Sequence, residues 1–200
     1  MYQLKQYITS MRSLTEACNK DFEEVVAFNE FERGEYLQKA GKICDHMHFI
    51  EKGAVQCYKG VKSKKQTLWF MLEGEIAMFK SSFYDRKASE ANIVALEDTR
   101  VHSISHADMK RLCEKHHSFA LLSLKITEEY HMRSDLKSDV LESRNPEDRY
   151  NYLKKLRPDI VDRVPQKDLA SFLRINPETL SRIKKWQKMH PGSDSNQPHH

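Results

Sequence analysis

The chain has 200 residues, 39% of them hydrophobic, with a formal net charge of +4. That length accommodates one domain or two small ones. No apolar run approaches the ~20 residues that span a bilayer. The N-terminus, Met1-Tyr2-Gln3-Leu4-Lys5-Gln6-Tyr7, carries no apolar signal segment, so no membrane association and a cytoplasmic location are expected.

In chain order, Gln3 to Phe28 carries helical periodicity through Leu4, Tyr7, Ile8, Met11, Leu14 and Ala17. Five of the six glycines (Gly34, Gly41, Gly53, Gly60, Gly74) then fall within one 41-residue stretch, and none follows until Gly192. Short β-like runs occupy that region and its flank: Glu35–Gln38, His48–Glu51, Ala54–Tyr58, Thr67–Leu72, Asn92–Leu96 and Arg100–Ile104. Close strands punctuated by glycine predict an antiparallel jelly roll or β-roll rather than a βαβ fold. Cys18, Cys44, Cys57 and Cys113 are too widely separated for a zinc or iron–sulfur motif and are expected as reduced, structural thiols. His46 and His48 point the same way on a strand, whereas His116 and His117 diverge. No metal site is expected, which also argues against a cupin-type metalloenzyme on this roll.

Ser105 with Asp108 three residues on opens a helix in capping-box style. A longer helix then runs to about Ser143. On it Phe119, Leu122, Ile126, Glu129, Arg133, Leu136 and Val140 repeat at alternating three and four spacing, a coiled-coil-like seam that predicts self-association. Asn145-Pro146-Glu147-Asp148 starts another helix and marks the domain boundary.

Gln166 to Leu173 predicts a short helix with Leu169, Phe172 and Leu173 on one face and small Ala170 where a second helix approaches. Asn176 suits an N-cap, Pro177 the first helical position and Glu178 the first turn. Leu180 and Ile183 turn back toward Leu169, leaving Glu178, Thr179, Arg182, Lys184 and Lys185 outward. This is the pattern of a helix-turn-helix whose second helix reads the major groove. Residues 144–188 hold 12 Lys/Arg against 6 Asp/Glu, a net of +6, so the rest of the chain sums to −2. Such concentration of positive charge is the footprint of phosphate binding.

This order of parts resembles the Crp/Fnr family of transcription regulators. The resemblance is carried by Phe31-Glu32-Arg33-Gly34-Glu35-Tyr36-Leu37 with Gly41, by Phe49-Ile50-Glu51-Lys52-Gly53-Ala54-Val55, by Gly74-Glu75, and by Glu178-Thr179-Leu180-Ser181-Arg182-Ile183. It implies an α+β chain: residues 1–116 a cyclic-nucleotide-binding-like sensor roll, 117–144 a dimerisation helix, 145–190 an all-α helix-turn-helix domain, and 191–200 a polar tail. It also implies a homodimer, not an enzyme, that binds a near-palindromic double-stranded DNA site and works with RNA polymerase. By the same resemblance Glu178 accepts from a cytosine amino group and Arg182 grips a guanine. Pro177 stands where the family has its first base-reading arginine. Arg174, at a turn position usually glycine, is expected with Ser181, Lys184 and Lys185 among the DNA-facing residues. No two-stranded wing is expected after Lys188.

Cyclic-nucleotide-binding members hold the ribose with a Glu and the cyclic phosphate with Arg-Ser or Arg-Thr. Here Glu75 follows Gly74, but Ser89 and Glu90 occupy the Arg-Ser positions. A carboxylate 4 Å from a phosphate costs about 4 kcal/mol at an effective dielectric of 20. Arg86 and Lys87 lie just upstream, and Ser134-Asp135 falls where a purine would be met. Gly74, Glu75, Arg86, Lys87, Ser89, Glu90 and Ser134 thus form the candidate effector pocket. Tight binding of cyclic AMP is not expected, and the effector is unidentified. The alternative reading is a sensor module that acts through protein contacts without specific DNA binding.

Overall fold

The computed structural model describes residues 1–61, 65–143 and 145–190, with the side chains of Arg133 and Leu136 outside that description. The polar tail at 191–200 also lies outside the described residues. The chain forms two compact units, Met1–Arg133 and Ser134–His200.

The first unit begins with two helices, α1 (Tyr2–Met11) and α2 (Glu16–Val25), where periodicity predicted one. The break is local chemistry. Arg12 is extended, and the Thr15 side chain caps α2 by accepting from the Cys18 N–H at 3.3 Å. The predicted helical stretch also overran its end, because Ala27–Phe31 is the first strand, β1.

The roll follows as β2 (Tyr36–Gln38), β3 (His46–Lys52), β4 (Val55–Lys59), β5 (Gln66–Met71), β6 (Ile76–Ala77), a short helix α3 (Lys80–Asp85), β7 (Ala91–Ala95) and β8 (Thr99–Ser105). All six predicted runs are strands, shifted by a residue or two. β1, β6 and α3 were not foreseen. Two four-stranded sheets result, ordered β1-β8-β3-β6 and β2-β7-β4-β5, with every named pairing antiparallel. The β3–β4 turn needs Gly53. Its φ is +109°, and an added Cβ would lie 2.7 Å from the Thr99 backbone.

Period-two alternation divides the first sheet between two cores. Ile50, Ala77 and Val101 join Val55, Cys57, Met71, Ala91 and Ile93 in one cluster. Met47, Phe49, Ile76 and Ile104 belong to a second cluster with Leu4, Ile8, Phe22, Met109, Leu112, Phe119 and Leu122 from the helices. The latter residues come from α1, α2, α4 (His106–Lys115) and α5 (His117–Glu142). The Ser105 cap of α4 forms as expected, its Oγ accepting from the Asp108 N–H at 3.0 Å.

The second unit carries α6 (Pro146–Leu156), α7 (Pro158–Arg163), α8 (Gln166–Leu173) and α9 (Pro177–Met189). Asn145 caps α6 by accepting from the Glu147 N–H at 3.0 Å. The α6–α7 break comes at Arg157-Pro158, where proline cannot donate into the preceding turn. Tyr150, Leu153, Ile160, Val161, Leu169, Ala170, Phe172, Leu173 and Leu180 are buried. No strand occurs among the described residues of this unit. No described helix is long and apolar enough to cross a membrane.

Candidate functional site

Helices α8 and α9 are joined by Arg174, Ile175 and Asn176. Arg174 adopts the left-handed conformation (φ 55°, ψ 44°) that this tight turn requires and that glycine would fill without strain. The Ile175 N–H closes the turn on the Ala170 carbonyl at 3.0 Å. Arg149, which sequence reasoning missed, supports it from α6: its Nη1 donates to the Leu173 carbonyl at 2.6 Å, satisfying the end of α8. Arg149, Arg174, Asn176 and Thr179 line one shallow cleft beside the start of α9.

Asn176 takes the N-cap position of α9, but its side chain makes no cap hydrogen bond, and Pro177 fills the first turn. Buried Leu180 and half-buried Ile183 fix the rotation of the helix. That rotation leaves Pro177, Glu178, Ser181, Arg182 and Lys185 exposed, as is Arg174 on the turn. Thr179 is half-buried. Lys184 departs from its expected outward position: it is half-buried, with its ammonium 5.9 Å from the Tyr150 ring centre. Burial lowers its pKa below the usual lysine value.

The predicted effector-pocket residues are committed elsewhere. Gly74 and Glu75 make a turn against β3, with the Gly74 N–H donating to the Ile50 carbonyl at 2.9 Å. The buried Glu75 carboxylate closes its own turn by accepting from the Leu72 N–H at 3.0 Å. Arg86 ends α3 in a left-handed conformation, pairs with Asp45 and donates to the Cys44 carbonyl at 3.1 Å. Lys87 is exposed. Ser89 is buried and folded on its own strand, donating to the Ala91 carbonyl at 2.7 Å. Glu90 is exposed and bound to Lys59, which holds its carboxyl below the usual range. Ser134 belongs to the second unit, where its carbonyl accepts from the Ser138 hydroxyl at 3.4 Å.

Tyr130 of α5 reaches the segment that follows the Glu75 turn. Its hydroxyl reaches the Met78 carbonyl at 3.5 Å, and the Lys80 ammonium lies 4.7 Å from its ring centre. Burial raises its pKa strongly, with Cys57, Cys44 and Glu75 adding to the rise. The sequence held no signal for this, because Tyr130 lies one residue off the heptad pattern.

Several residues of the predicted α5 seam pack within the first unit. Phe119 and Leu122 are 4% and 1% exposed, within the core of their own unit, and Ile126 packs against that core. Glu129 accepts from the Tyr7 hydroxyl at 3.2 Å. The apolar outer face of the first sheet requires a cover, and these residues supply it. Val140 is buried too, within the second unit, while Arg133 and Leu136 have side chains outside the described residues. The exposed side of α5 carries Leu124 at 54% and Met132 at 72%.

His46 and His48 do not form a metal site. His48 is buried, its Nδ1 2.7 Å from the Ser103 hydroxyl, and its ring stacks on His46 at 5.9 Å. Among the described residues no group of three or more His, Cys, Asp or Glu is placed to hold a metal ion. The four cysteines form no disulfide among the described residues, and burial raises the thiol pKa of Cys18, Cys44 and Cys113.

Residues 28–116 match the family model of the cyclic nucleotide-binding domain. No curated protein matches the chain by sequence. By fold the chain is similar to FixK2 from Bradyrhizobium japonicum, at 16% identity over 82% of this chain and 85% of that one, with a TM-score of 0.66. It is similar to the c-di-GMP responsive global regulator CLP of Xanthomonas campestris, at 13% identity over 88% and 92% of the two chains, with a TM-score of 0.65. It also resembles the sensor domain of the transcriptional regulator DNR from Pseudomonas aeruginosa, at 14% identity over 72% and 94%, with a TM-score of 0.54. The first unit is thus a roll of the cyclic-nucleotide-binding type, and the chain is similar in fold to a global regulator and to the sensor domain of a transcriptional regulator.

Proposed function

We propose that this chain is a DNA-binding transcription regulator of the Crp/Fnr type, acting as a homodimer that reads a near-palindromic double-stranded site with α9. The observation that carries this reading is the exposed set of Glu178, Ser181, Arg182 and Lys185 on a helix whose rotation is fixed by buried Leu180. The net +6 of residues 144–188 supplies the phosphate-attracting field. Fold similarity to CLP, a global regulator linked to gene expression, points the same way.

The proposed dimer seam uses the exposed face of α5. At about 100° per residue, Leu121, Leu124, Glu128 and Met132 form one stripe opposite Phe119, Leu122, Ile126 and Tyr130. Leu124 and Met132 are its exposed apolar members. A coiled-coil pairing along this stripe leaves each roll its own cover. The effector is not a tightly bound cyclic mononucleotide, since Glu75, Arg86 and Glu90 are engaged internally.

Selection from random double-stranded DNA with the purified protein tests the reading. Enrichment of a two-fold symmetric motif with half-sites about one helical turn apart is expected. Failure to enrich any sequence, with and without a metabolite extract, would instead favour the sensor module that acts through protein contacts.

A further inference from the structure

An apolar cavity of about 50 Å³ lies within the first unit, between the outer face of the first sheet and the covering helices. Tyr7, Phe22, Phe49, Met109 and Ile126 are among its walls, together with the imidazole of His102 on β8. Neither Gly74 nor Glu75 lines this space, and nothing in the proposed regulator function uses it.

His102 is 5% exposed. Its Nε2 meets both the Glu51 carboxylate and the Met1 ammonium, which are themselves bonded at 3.3 Å. Its Nδ1 is buried without a hydrogen-bond partner among the described residues. A carboxylate can only accept and an ammonium can only donate, so the tautomer of the neutral ring follows whichever of the two it serves. If Nε2 carries the proton toward Glu51, Nδ1 is an unmet acceptor. If Nε2 accepts from the ammonium, Nδ1 is an unmet donor. Either state leaves a buried polar atom unpaired at an otherwise apolar cavity, which costs about 1–3 kcal/mol. A hydroxyl group both donates and accepts, so it satisfies Nδ1 in either tautomer.

We propose that this cavity is a binding site for a small, largely apolar molecule carrying one hydroxyl group, a short alcohol or a phenol, with the His102 imidazole as its polar anchor. The cavity is about a third of the ~150 Å³ that admits benzene in an engineered protein. A short alcohol therefore enters directly, whereas an aromatic ring requires movement of the Met47 or Met109 side chains on the wall. Unbranched thioethers make that adjustment readily. Phe119, Leu122, Ser123 and Ile126 of α5 also line the cavity, so occupancy bears directly on the helix that carries the proposed dimer stripe.

The test is fluorine NMR of the full chain with 4-fluorophenol and, as the probe lacking the hydroxyl, 4-fluorotoluene. Line broadening of 4-fluorophenol that excess phenol reverses is expected, with 4-fluorotoluene binding about ten-fold more weakly. His102→Leu should bring the two probes within about two-fold of each other. Ser123→Leu, which fills the cavity from α5, should abolish binding of both while circular dichroism shows the fold retained. Absence of broadening by either probe overturns the site. So does equal binding of the two probes to the unaltered protein, or binding that survives Ser123→Leu, which would place the probe on the surface.

Discussion

In the N-terminal unit, the charged residues around the would-be nucleotide cradle are tied into the fold: Arg86 to Asp45 and the Cys44 carbonyl, Glu90 to Lys59, and Glu75 to its own turn. In the C-terminal unit, Glu178, Arg182 and Lys185 extend from α9 as exposed side chains, while Leu180 beneath them is fully buried. A ligand site needs unspent hydrogen-bonding capacity held on a rigid support. The second unit has that arrangement at its surface. In the first, Arg86 and Glu90 are already paired at the position where the family resemblance implied it. This contrast is why the proposed function rests on the reader helix and not on the roll.

The rigid support of α9 is the first thing to remove. Phe172 of α8 is 1% exposed in the core of the second unit. Phe172→Ala should destabilise that unit by about 3–5 kcal/mol. Thermal melts followed by far-ultraviolet circular dichroism should show its transition move to lower temperature, with DNA affinity lost and the melting of the roll unchanged. Equal shifts for both units would mean that they do not unfold separately.

Acid should discriminate in the opposite sense. Burial depresses the His48 pKa to about 3, and the nearby His46 adds to the effect. Between the usual value near 6.5 and that depressed value, the unfolded chain binds the proton that the folded chain refuses. Stability therefore falls as pH drops through this window, by up to about 1.4 kcal/mol per pH unit, or roughly 2–3 kcal/mol by pH 4.5. Asp21, held at about 2 by Lys115 and His116, acts lower: its contribution is present above the ordinary aspartate pKa and disappears as pH falls through the depressed one. Urea denaturation at pH 7 and pH 4.5 checks the first window. His48→Gln should flatten it, and a slope unchanged by that substitution would assign the effect to other groups.

Arg182→Ala sharpens the comparison at the reader. It should remove about 1–3 kcal/mol of discrimination at one base pair while leaving affinity for random DNA little changed. Competition binding with the selected site and with single-base variants reads this directly. Parallel loss on specific and random DNA would make Arg182 a phosphate contact.

Legibility differed between these regions for physical reasons. All six predicted strand runs were recoverable because glycine punctuation and β-rich composition are local signals, and the caps at Ser105 and Asn145 are local as well. The two missed strands show where such signals end. β1 continues a helical pattern without a break in composition, and β6 is only two residues long, specified by its pairing with β3. On α9 the buried position of Leu180 could be read from spacing alone. Tyr130 at the Met78 carbonyl, Arg149 on the Leu173 carbonyl and Glu129 beneath Tyr7 are contacts between segments far apart in the chain. No spacing rule encodes them. The α5 stripe shows a related limit: a three–four repeat reveals an apolar stripe but not what covers it, and Phe119 and Leu122 lie in the core of the roll's own unit.

The smallest predicted effect separates two neighbouring lysines. Lys185 is exposed, whereas Lys184 is half-buried beside Tyr150 with its pKa lowered by burial. If α9 lies along the DNA as proposed, Lys185 is the better placed to neutralise a phosphate. Each such contact contributes about 0.9 to the slope of log affinity against log salt concentration. Lys185→Ala should therefore reduce that slope by about one, and Lys184→Ala by distinctly less. Fluorescence anisotropy across a series of salt concentrations measures both slopes. A larger reduction for Lys184→Ala would mean that the Tyr150 contact opens on binding, making the helix surface a product of the complex and weakening the contrast between a committed roll and a ready reader.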